Sequence, residues 1–308
     1  MAPIRIPPLL ATSIEGWEDD TASKWLPELS NRLERLSDLW DIEILAPFEP
    51  GGVTAWVAPV RQADGGHAVA KVVIPHREAR HEAAALTAWG GEGAVELLAH
   101  APDEDAMLIE RCRPGTPLTL LGDPDAIIDA GARVLRQTWV PAPDGHPFES
   151  LAEVAGWFAD LVAERQARLG EPLPQDLVDT ALELLRTLPT TATRQVVLHH
   201  DLHPGNVLLH QRGWLAIDPK PQVGDPAFDP VQLVLQSGEV LDELDPLDVV
   251  RGRVERLADL LDLGPGRLAG WGLARCVEWA LYDIDSGRPD DGARHAQRAA
   301  LFAPLVRL

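Results

Sequence analysis

Two side chains capable of proton and metal chemistry stand five positions apart in the second half of the chain. Asp201 and Asn206 lie in a polar segment between two apolar runs, residues 196–198 and 207–209. Polar groups between apolar strands cannot all be buried without partners, so we predict a loop held firmly at a site. The carboxylate of Asp201 can accept a hydroxyl proton, and the amide oxygen of Asn206 can coordinate Mg²⁺.

A second carboxylate follows at the end of the next apolar run. Residues 213–220 predict a turn, a short strand and then Asp218, twelve positions after Asn206. A hairpin would return Asp218 to the same site, where it and Asn206 could hold Mg²⁺ on nucleotide phosphates. Kinases show the same four-residue gap between the catalytic aspartate and the metal-binding asparagine that separates Asp201 from Asn206. The arrangement predicts phosphoryl transfer from ATP or GTP to a hydroxyl group.

The same residues resemble a known family. The segment from His200 to Asn206, followed by Ile217 and Asp218, resembles the catalytic segment of the aminoglycoside phosphotransferase family, relatives of protein kinases. Two longer runs, within residues 214–229 and 270–285, resemble the streptomycin 6-kinase and hydroxyurea kinase branch, and the similarity extends from about residue 40 onward. The resemblance implies a nucleotide site in a small N-terminal lobe and a small-molecule acceptor, with streptomycin as our leading hypothesis.

One lysine of that N-terminal part has an unusual position. Lys71 is one of only three lysines and lies within the apolar run 68–74. A buried ammonium is costly unless it is paired, so we predict a phosphate-binding lysine oriented by Glu82 of the following helix. Glu78, one turn earlier, is the second candidate partner. An edge-strand lysine that reaches water is the alternative interpretation.

Two further segments are candidates for nucleotide binding. Residues 107–115 resemble the family's connector between lobes, where the Glu110 carbonyl and the Cys112 amide would bind the adenine edge. An ordinary loop between elements is the alternative. Gly51 and Gly52 lie in a turn without the G-x-G-x-x-G pattern, and their backbone N–H groups are candidates for contacts with phosphate oxygens.

Acidic and aromatic residues near the C-terminus are candidates for binding the acceptor. Glu278 and Asp283 lie beside Trp279 on a predicted helix. Such groups suit a guanidinium- or ammonium-bearing acceptor through ion pairs and cation–π contacts, although a charged surface helix is the alternative. His200 stands where relatives often carry Gly or Trp, and it either lines the acceptor pocket or simply packs there.

The histidines around Asp201 leave a metal-dependent hydrolase open, because imidazole and carboxylate groups are zinc ligands. Adjacent residues of a strand point to opposite faces, which counts against one ion shared by His199 and His200. In the family interpretation His203 holds the loop through side-chain hydrogen bonds. Asp225 and Asp229 are predicted to be structural, in a segment rich in turn residues.

Two alternatives concern the activity itself. The chain could be a kinase for another small molecule, such as hydroxyurea, an amino sugar or a metabolite. It could also be a degenerate kinase fold that only binds ligands. The joint retention of four groups counts against that second alternative: Lys71, Asp201, Asn206 and Asp218.

The pattern of elements predicts an α+β, protein-kinase-like bilobal fold. Residues 1–111 are expected to form an N-terminal extension and an antiparallel-sheet lobe with one helix, and residues 112–308 a larger helical lobe. Predicted strands span 42–45, 53–60, 68–74, 96–99 and 106–109. Predicted helices span 20–40, 76–89, 123–139, 150–169 and 174–188, with three more within 246–307 and a strand-rich stretch at 195–218.

Composition limits the partners and the location. The chain has 308 residues and a formal net charge of −21, which disfavours nucleic acid and anionic membranes and favours a cationic small molecule. The charge could also serve solubility alone. Two cysteines and an N-terminus without a long apolar run indicate neither a disulfide scaffold nor a signal peptide. We therefore expect a cytoplasmic protein acting as a monomer.

Overall fold

The structure is a computed structural model that describes residues 4–17 and 19–306. Its first sheet is antiparallel and contains all five strands that were predicted for the N-terminal part. The strands are β1 (Ile42–Ile44), β2 (Ala55–Gln62), β3 (His67–Val73), β4 (Leu97–Ala101) and β5 (Ala106–Glu110). Their order across the sheet is β1-β2-β3-β5-β4.

Two N-terminal helices, α1 (Pro8–Glu15) and α2 (Thr21–Trp40), form a hydrophobic cluster with this sheet. Helix α2 was predicted and α1 was not. The buried stripe of α2 runs through Trp25, Leu29, Leu33 and Leu36 at helical spacing, as expected. Leu39 was expected on the same face but is 64% exposed, because the stripe continues to Trp40, which packs against the cluster.

Helix α3 (Glu82–Trp89) crosses from β3 to β4 and carries the predicted lysine partner. It is shorter than the predicted span of 76–89. A 3-10 turn, Arg77–Ala79, precedes it, and His81 with φ −119° separates the two helical segments. Gly90 ends α3 with φ +54°, a left-handed conformation that glycine adopts at little cost. We call the first sheet with α1–α3 the small lobe.

The rest of the chain is mainly helical, as predicted, and we call it the helical lobe. Its helices are α4 (Pro124–Thr138), α5 (Leu151–Arg168), α6 (Gln175–Thr187), α7 (Val231–Gln236), α8 (Pro246–Leu261), α9 (Pro265–Asp285) and α10 (Pro289–Phe302). The short α7 was not predicted. Trp271 of α9 and Phe302 of α10 are fully buried in the core, and Gly272 lets the Phe302 ring approach α9 closely.

Two small three-stranded sheets position the polar loop of the helical lobe. They consist of β6 (Pro114–Pro117), β9 (Val207–His210) and β10 (Gly213–Ala216), and of β7 (Glu149–Ser150), β8 (Val196–Leu198) and β11 (Gln222–Gly224). The antiparallel β9–β10 hairpin was predicted, whereas β6, β7 and β11 are too short to show a pattern in the sequence.

The β9–β10 hairpin is tied to the small lobe. Arg212, in its turn, donates a hydrogen bond to Oε2 of Glu110 (2.5 Å) and to the carbonyl of Ala94 (3.1 Å). The amide of Val95 donates to the carbonyl of Ala216 (3.0 Å). The first sheet ends at Glu110, close to the predicted boundary between residues 111 and 112, and that boundary stays a prediction.

Among the described residues, no helix combines the length and the apolar character that crossing a membrane requires.

Candidate active site

The polar loop between β8 and β9 is fixed by its own neighbours. Oδ2 of Asp229 accepts the His199 amide (3.0 Å), and Oδ1 accepts the His200 amide (2.7 Å). Burial raises the pKa of Asp229 to about 6, although these hydrogen bonds oppose the shift. His203 Nδ1 accepts the amide of Gly205 (3.0 Å), the loop-holding hydrogen bond expected of it. The loop is therefore rigid enough to present side chains in fixed positions.

Asp201 and Asn206 face each other across this loop. Nδ2 of Asn206 donates to the Asp201 carbonyl (3.0 Å) and lies 3.4 Å from its Oδ2. The Asn206 amide oxygen is left to bind another group. Burial raises the pKa of Asp201, while nearby His203, Lys220 and a hydrogen bond from Gln232 work in the opposite direction. A partly desolvated carboxylate of this kind is suited to accepting a proton.

Gln232 of α7 is a site residue that the sequence analysis missed. Its Nε2 donates to Oδ1 of Asp201 (2.7 Å), and its own Oε1 accepts Nε2 of Gln236 (2.5 Å). Gln236 thereby helps to orient the amide of Gln232 with its N–H groups toward Asp201. No local sequence pattern marks Gln232, because it lies 31 positions after Asp201 in a short helix.

Asp218 is brought back to the loop by the β9–β10 hairpin. The amide of Ile217 donates to the carbonyl of Asn206 (2.9 Å), so the following residue lies beside the loop. Oδ1 of Asp218 accepts a hydrogen bond from Lys71 (2.5 Å) and forms an ion pair with Lys220 (2.8 Å). Burial would raise the pKa of Asp218, but these two ammonium groups outweigh it and hold the pKa well below its usual range. Asp218 is therefore ionised at neutral pH.

Lys71 is paired in the small lobe. Its Nζ donates to both carboxylate oxygens of Glu82, each at 2.6 Å, so Glu82 and not Glu78 is the partner. The edge-strand alternative is wrong, because β3 lies between β2 and β5 and Lys71 is 6% exposed. Burial alone would lower the pKa of Lys71, but the Asp218 and Glu82 carboxylates raise it above its ordinary value.

His200 lies at the same site in an uncommon backbone conformation. Its φ is +68° and that of Asp218 is +58°, a region that side chains other than glycine rarely adopt. Such strained residues cluster at functional sites. The His200 ring stacks on Phe228, with centroids 5.0 Å apart. Burial, together with the nearby charge of Arg275, lowers the pKa of His200 well below its usual value, so the imidazole is neutral.

The histidines do not form a zinc site. Nε2 of His199 lies 3.0 Å from the carbonyl of Ile217, and Nδ1 of His203 is used by the amide of Gly205. Within residues 4–17 and 19–306, no three His, Cys, Asp or Glu side chains are grouped so that they could hold a metal ion. This geometry counts against the hydrolase alternative.

The other nucleotide candidates lie at the edge of the first sheet. Gly51 has φ +90°, and a Cβ there would overlap the ring of Pro7, so it packs against the N-terminal segment. A Cβ at Gly52 would lie 3.5 Å from the carbonyl of Ala55. The Glu110 side chain is bound by Arg212, while the Cys112 amide has no hydrogen-bond acceptor within the described part of the chain. Their contacts with nucleotide stay predictions.

The acidic candidates on α9 are paired with cations of the chain itself. Glu278 accepts a hydrogen bond from Arg275 (3.1 Å), whose guanidinium also lies 4.7 Å from the Trp279 ring centroid. Asp283 accepts one from Arg288 (2.5 Å). These pairs give Glu278 and Asp283 structural partners, and their contact with an acceptor stays a prediction.

Asp225 has a structural place, as predicted: its Oδ1 accepts the amide of Ala227 (3.1 Å) within its own turn, and its Oδ2 has distant partners as well. Its Oδ2 accepts Nε1 of Trp271 (2.6 Å) and Nε of Arg267 (2.7 Å), both on α9. It therefore anchors the segment after β11 to the core helix of the helical lobe.

The fold is that of the protein-kinase-like class. A crystal structure of choline kinase from Streptococcus pneumoniae superposes with a TM-score of 0.59 at 18% identity, covering 88% of this chain and 97% of that chain. This likeness concerns the fold alone, and it confirms the predicted protein-kinase-like fold class.

The chain belongs to the aminoglycoside/hydroxyurea antibiotic resistance kinase family, whose model matches residues 47–287. It is 35% identical over 289 residues to streptomycin 6-kinase from Streptomyces glaucescens, with 92% of each chain covered. It is 33% identical over 267 residues to hydroxyurea phosphotransferase from Kitasatospora aureofaciens, covering 84% of this chain and 74% of the relative. The family predicted from the sequence is confirmed, and the chain is a small-molecule phosphotransferase.

Proposed function

We propose that the chain transfers the γ-phosphate of ATP to a hydroxyl group of a cationic aminocyclitol antibiotic such as streptomycin. The observation that supports this most is the convergence of Asp201, Asn206 and Asp218 on one loop and its adjoining hairpin. The similarity to streptomycin 6-kinases and the formal charge of −21 favour a cationic acceptor.

Residues from both lobes would hold the nucleotide. Lys71, which Glu82 orients, would bind the α- and β-phosphates. The Cys112 amide and the Glu110 carbonyl would contact the adenine, and the backbone at Gly51 and Gly52 the phosphates.

The site contains groups that fit Mg²⁺, a cation that prefers oxygen ligands. The amide nitrogen of Asn206 donates its hydrogen bond to Asp201, so the amide oxygen is the atom available to a metal ion. The carboxylate of Asp218 is ionised and can serve as the second ligand. Asn206 and Asp218 would therefore hold the ion. Bound there, Mg²⁺ would offset the charge on the phosphate oxygens.

Asp201 would act on the acceptor. Its carboxylate accepts the proton of the acceptor hydroxyl while that oxygen forms a bond to the γ-phosphorus and the bond to ADP breaks. The hydrogen bonds from Gln232 and Asn206 fix the orientation of the carboxylate. Most of the acceleration would come from positioning and electrostatics, as is usual for phosphoryl transfer.

A coupled assay of ADP release across streptomycin, other aminoglycosides, hydroxyurea and simple sugars tests this proposal. Release that depends on streptomycin supports it. Release that depends on hydroxyurea instead selects the second candidate, which the similarity to the hydroxyurea phosphotransferase favours. Release with neither compound, but with another member of the panel, contradicts the proposed acceptor and leaves the kinase assignment intact.

A further inference from the structure

A cavity of about 230 Å³ opens beside the catalytic loop, between the 3-10 turn that precedes α3 and helix α5. Its inner wall includes His200 and Lys220, and Nζ of Lys220 lies 2.8 Å from Oδ1 of Asp218. Pockets that enclose a whole drug-sized ligand measure about 300–1,000 Å³. This cavity is therefore large enough for one end of such a ligand, next to the site of phosphoryl transfer.

The outer wall of the cavity holds a guanidinium group of the chain itself. Nε of Arg77 lies 3.0 and 3.1 Å from the two carboxylate oxygens of Glu149. Its Cζ lies 4.7 Å from the ring centroid of Trp157, which is 46% exposed. A carboxylate and an indole face are the groups that bind a cation through an ion pair and a cation–π contact. Glu149 and Trp157 therefore already form a guanidinium site.

Two side chains of the inner wall each have a buried polar atom with no partner in the described structure. Gln222 is 6% exposed, and its Oε1 accepts no hydrogen bond. Nε2 of His200 is also buried without a partner. Because the protein covers both atoms, recognition of a ligand rests on the cation site at the mouth of the cavity.

We propose that Glu149 and Trp157 form the subsite for a cationic group of the acceptor, and that Arg77 occupies this subsite when no acceptor is bound. A guanidinium- or ammonium-bearing acceptor displaces Arg77 and takes over its ion pair and its contact with the ring. This inference rests on the proposed function, since it names the residues that recognise the acceptor of that reaction.

If the acceptor displaces Arg77, removing Arg77 and removing its partners should change the KM for streptomycin in opposite directions. Arg77→Ala removes the competitor, so the KM for streptomycin falls about threefold or more, while kcat and the KM for ATP stay unchanged. Glu149→Gln and Trp157→Ala remove the recognition and raise the KM for streptomycin about tenfold. Asp160→Asn, on the exposed face of α5 and outside the cavity, is the matched control and leaves each constant unchanged.

An Arg77 that only ties the lobes together gives the reverse result. In that case Arg77→Ala raises the KM for streptomycin, or Glu149→Gln and Trp157→Ala leave it at the wild-type value. Either outcome overturns the proposal. A change in the KM for ATP in all three variants would show a general disturbance of the site, and it would also overturn the proposal.

A second measurement tests whether Glu149 forms a cation subsite, and it does not require the acceptor to be known. Methylguanidinium chloride at low millimolar concentration should refill the emptied site and raise the Tm of Arg77→Ala. The double variant Arg77→Ala/Glu149→Gln should show no such rise, because the carboxylate is missing. An equal response of the two variants overturns the subsite. If no compound of the acceptor panel is phosphorylated, the proposed acceptor fails while this comparison still gives its own result.

Discussion

The ammonium of Lys71 lies 2.6 Å from both carboxylate oxygens of Glu82 and 2.5 Å from Oδ1 of Asp218. One cation thus joins strand β3, helix α3 and the end of the β9–β10 hairpin. Because these elements belong to different lobes, the contact sets the position of the phosphate-binding side of the cleft relative to the catalytic loop. Lys71, proposed to bind phosphate, and Asp218, proposed to bind metal, are therefore joined by an ion pair that also fixes their relative position.

Removing Lys71 alone should destabilise the fold strongly. Lys71→Met leaves Glu82, which is 1% exposed, as a buried carboxylate without its cation, at a cost of about 3–5 kcal/mol. The double variant Lys71→Met/Glu82→Leu should recover most of this loss, since it removes both charges. Urea unfolding measures the free energy of unfolding of each variant.

The exposed pair of Arg61 and Glu43, joined at 2.7 Å, is the matched control for that experiment. Arg61→Met should change the free energy of unfolding by only about 0–1 kcal/mol. Two results would contradict this prediction. Lys71→Met could lower the free energy of unfolding no more than Arg61→Met does, or the double variant could be no more stable than Lys71→Met.

Asp218→Ala should weaken nucleotide binding only when metal is present. The variant loses one of the two oxygen ligands proposed for Mg²⁺, so the Kd for ADP with Mg²⁺ should rise about tenfold or more. The Kd for ADP in EDTA should not rise, because the lost carboxylate repels phosphate. Calorimetric titration with and without Mg²⁺ measures both constants, with Asp160→Ala as a control. Equal losses in the two conditions would rule out a metal-ligand role.

Gln232→Leu should move the pH profile of the reaction. The hydrogen bond from Gln232 stabilises the ionised form of Asp201 and so lowers its pKa, and its loss raises that pKa. Because Asp201 accepts a proton only when ionised, the acidic limb of the kcat profile should shift to higher pH. On the acidic limb kcat should fall below the wild-type value, and it should recover in part at higher pH.

Gln236→Leu tests the same hydrogen-bond chain at the residue that donates to Gln232. It should shift the acidic limb in the same direction by less, because Gln236 acts only by orienting Gln232. A loss of kcat in Gln232→Leu that is uniform across pH would show a packing defect rather than an effect on Asp201.

The sequence predicted the residues whose partners are close along the chain or imposed by a hairpin. Asp201 and Asn206 lie just before the β9–β10 hairpin and Asp218 just after it, so their spacing was sufficient to place them together. Lys71 was found because an ammonium in a central apolar strand needs a buried anion, and the next helix supplies Glu82.

Groups that meet through tertiary packing could not be found in this way. Gln232 reaches Asp201 from α7, a helix of six residues with no amphipathic pattern long enough to predict. The pair of Arg275 and Glu278 is different, since the two residues stand three positions apart on one helix and this local spacing could have predicted their contact. The cavity formed with Glu149 and Trp157 depends on how α5 packs near the turn before α3, which no local pattern encodes.

The most direct test of the central claim is acceptor-dependent ADP release by Asp201→Ala at saturating MgATP and streptomycin. Loss of a general base typically costs about 10²–10⁴ in rate, and we predict a fall in kcat of that size with the Kd for MgADP unchanged. The control Asp160→Ala should behave like the wild type. Near-normal turnover by Asp201→Ala would contradict the assignment of Asp201 as the base.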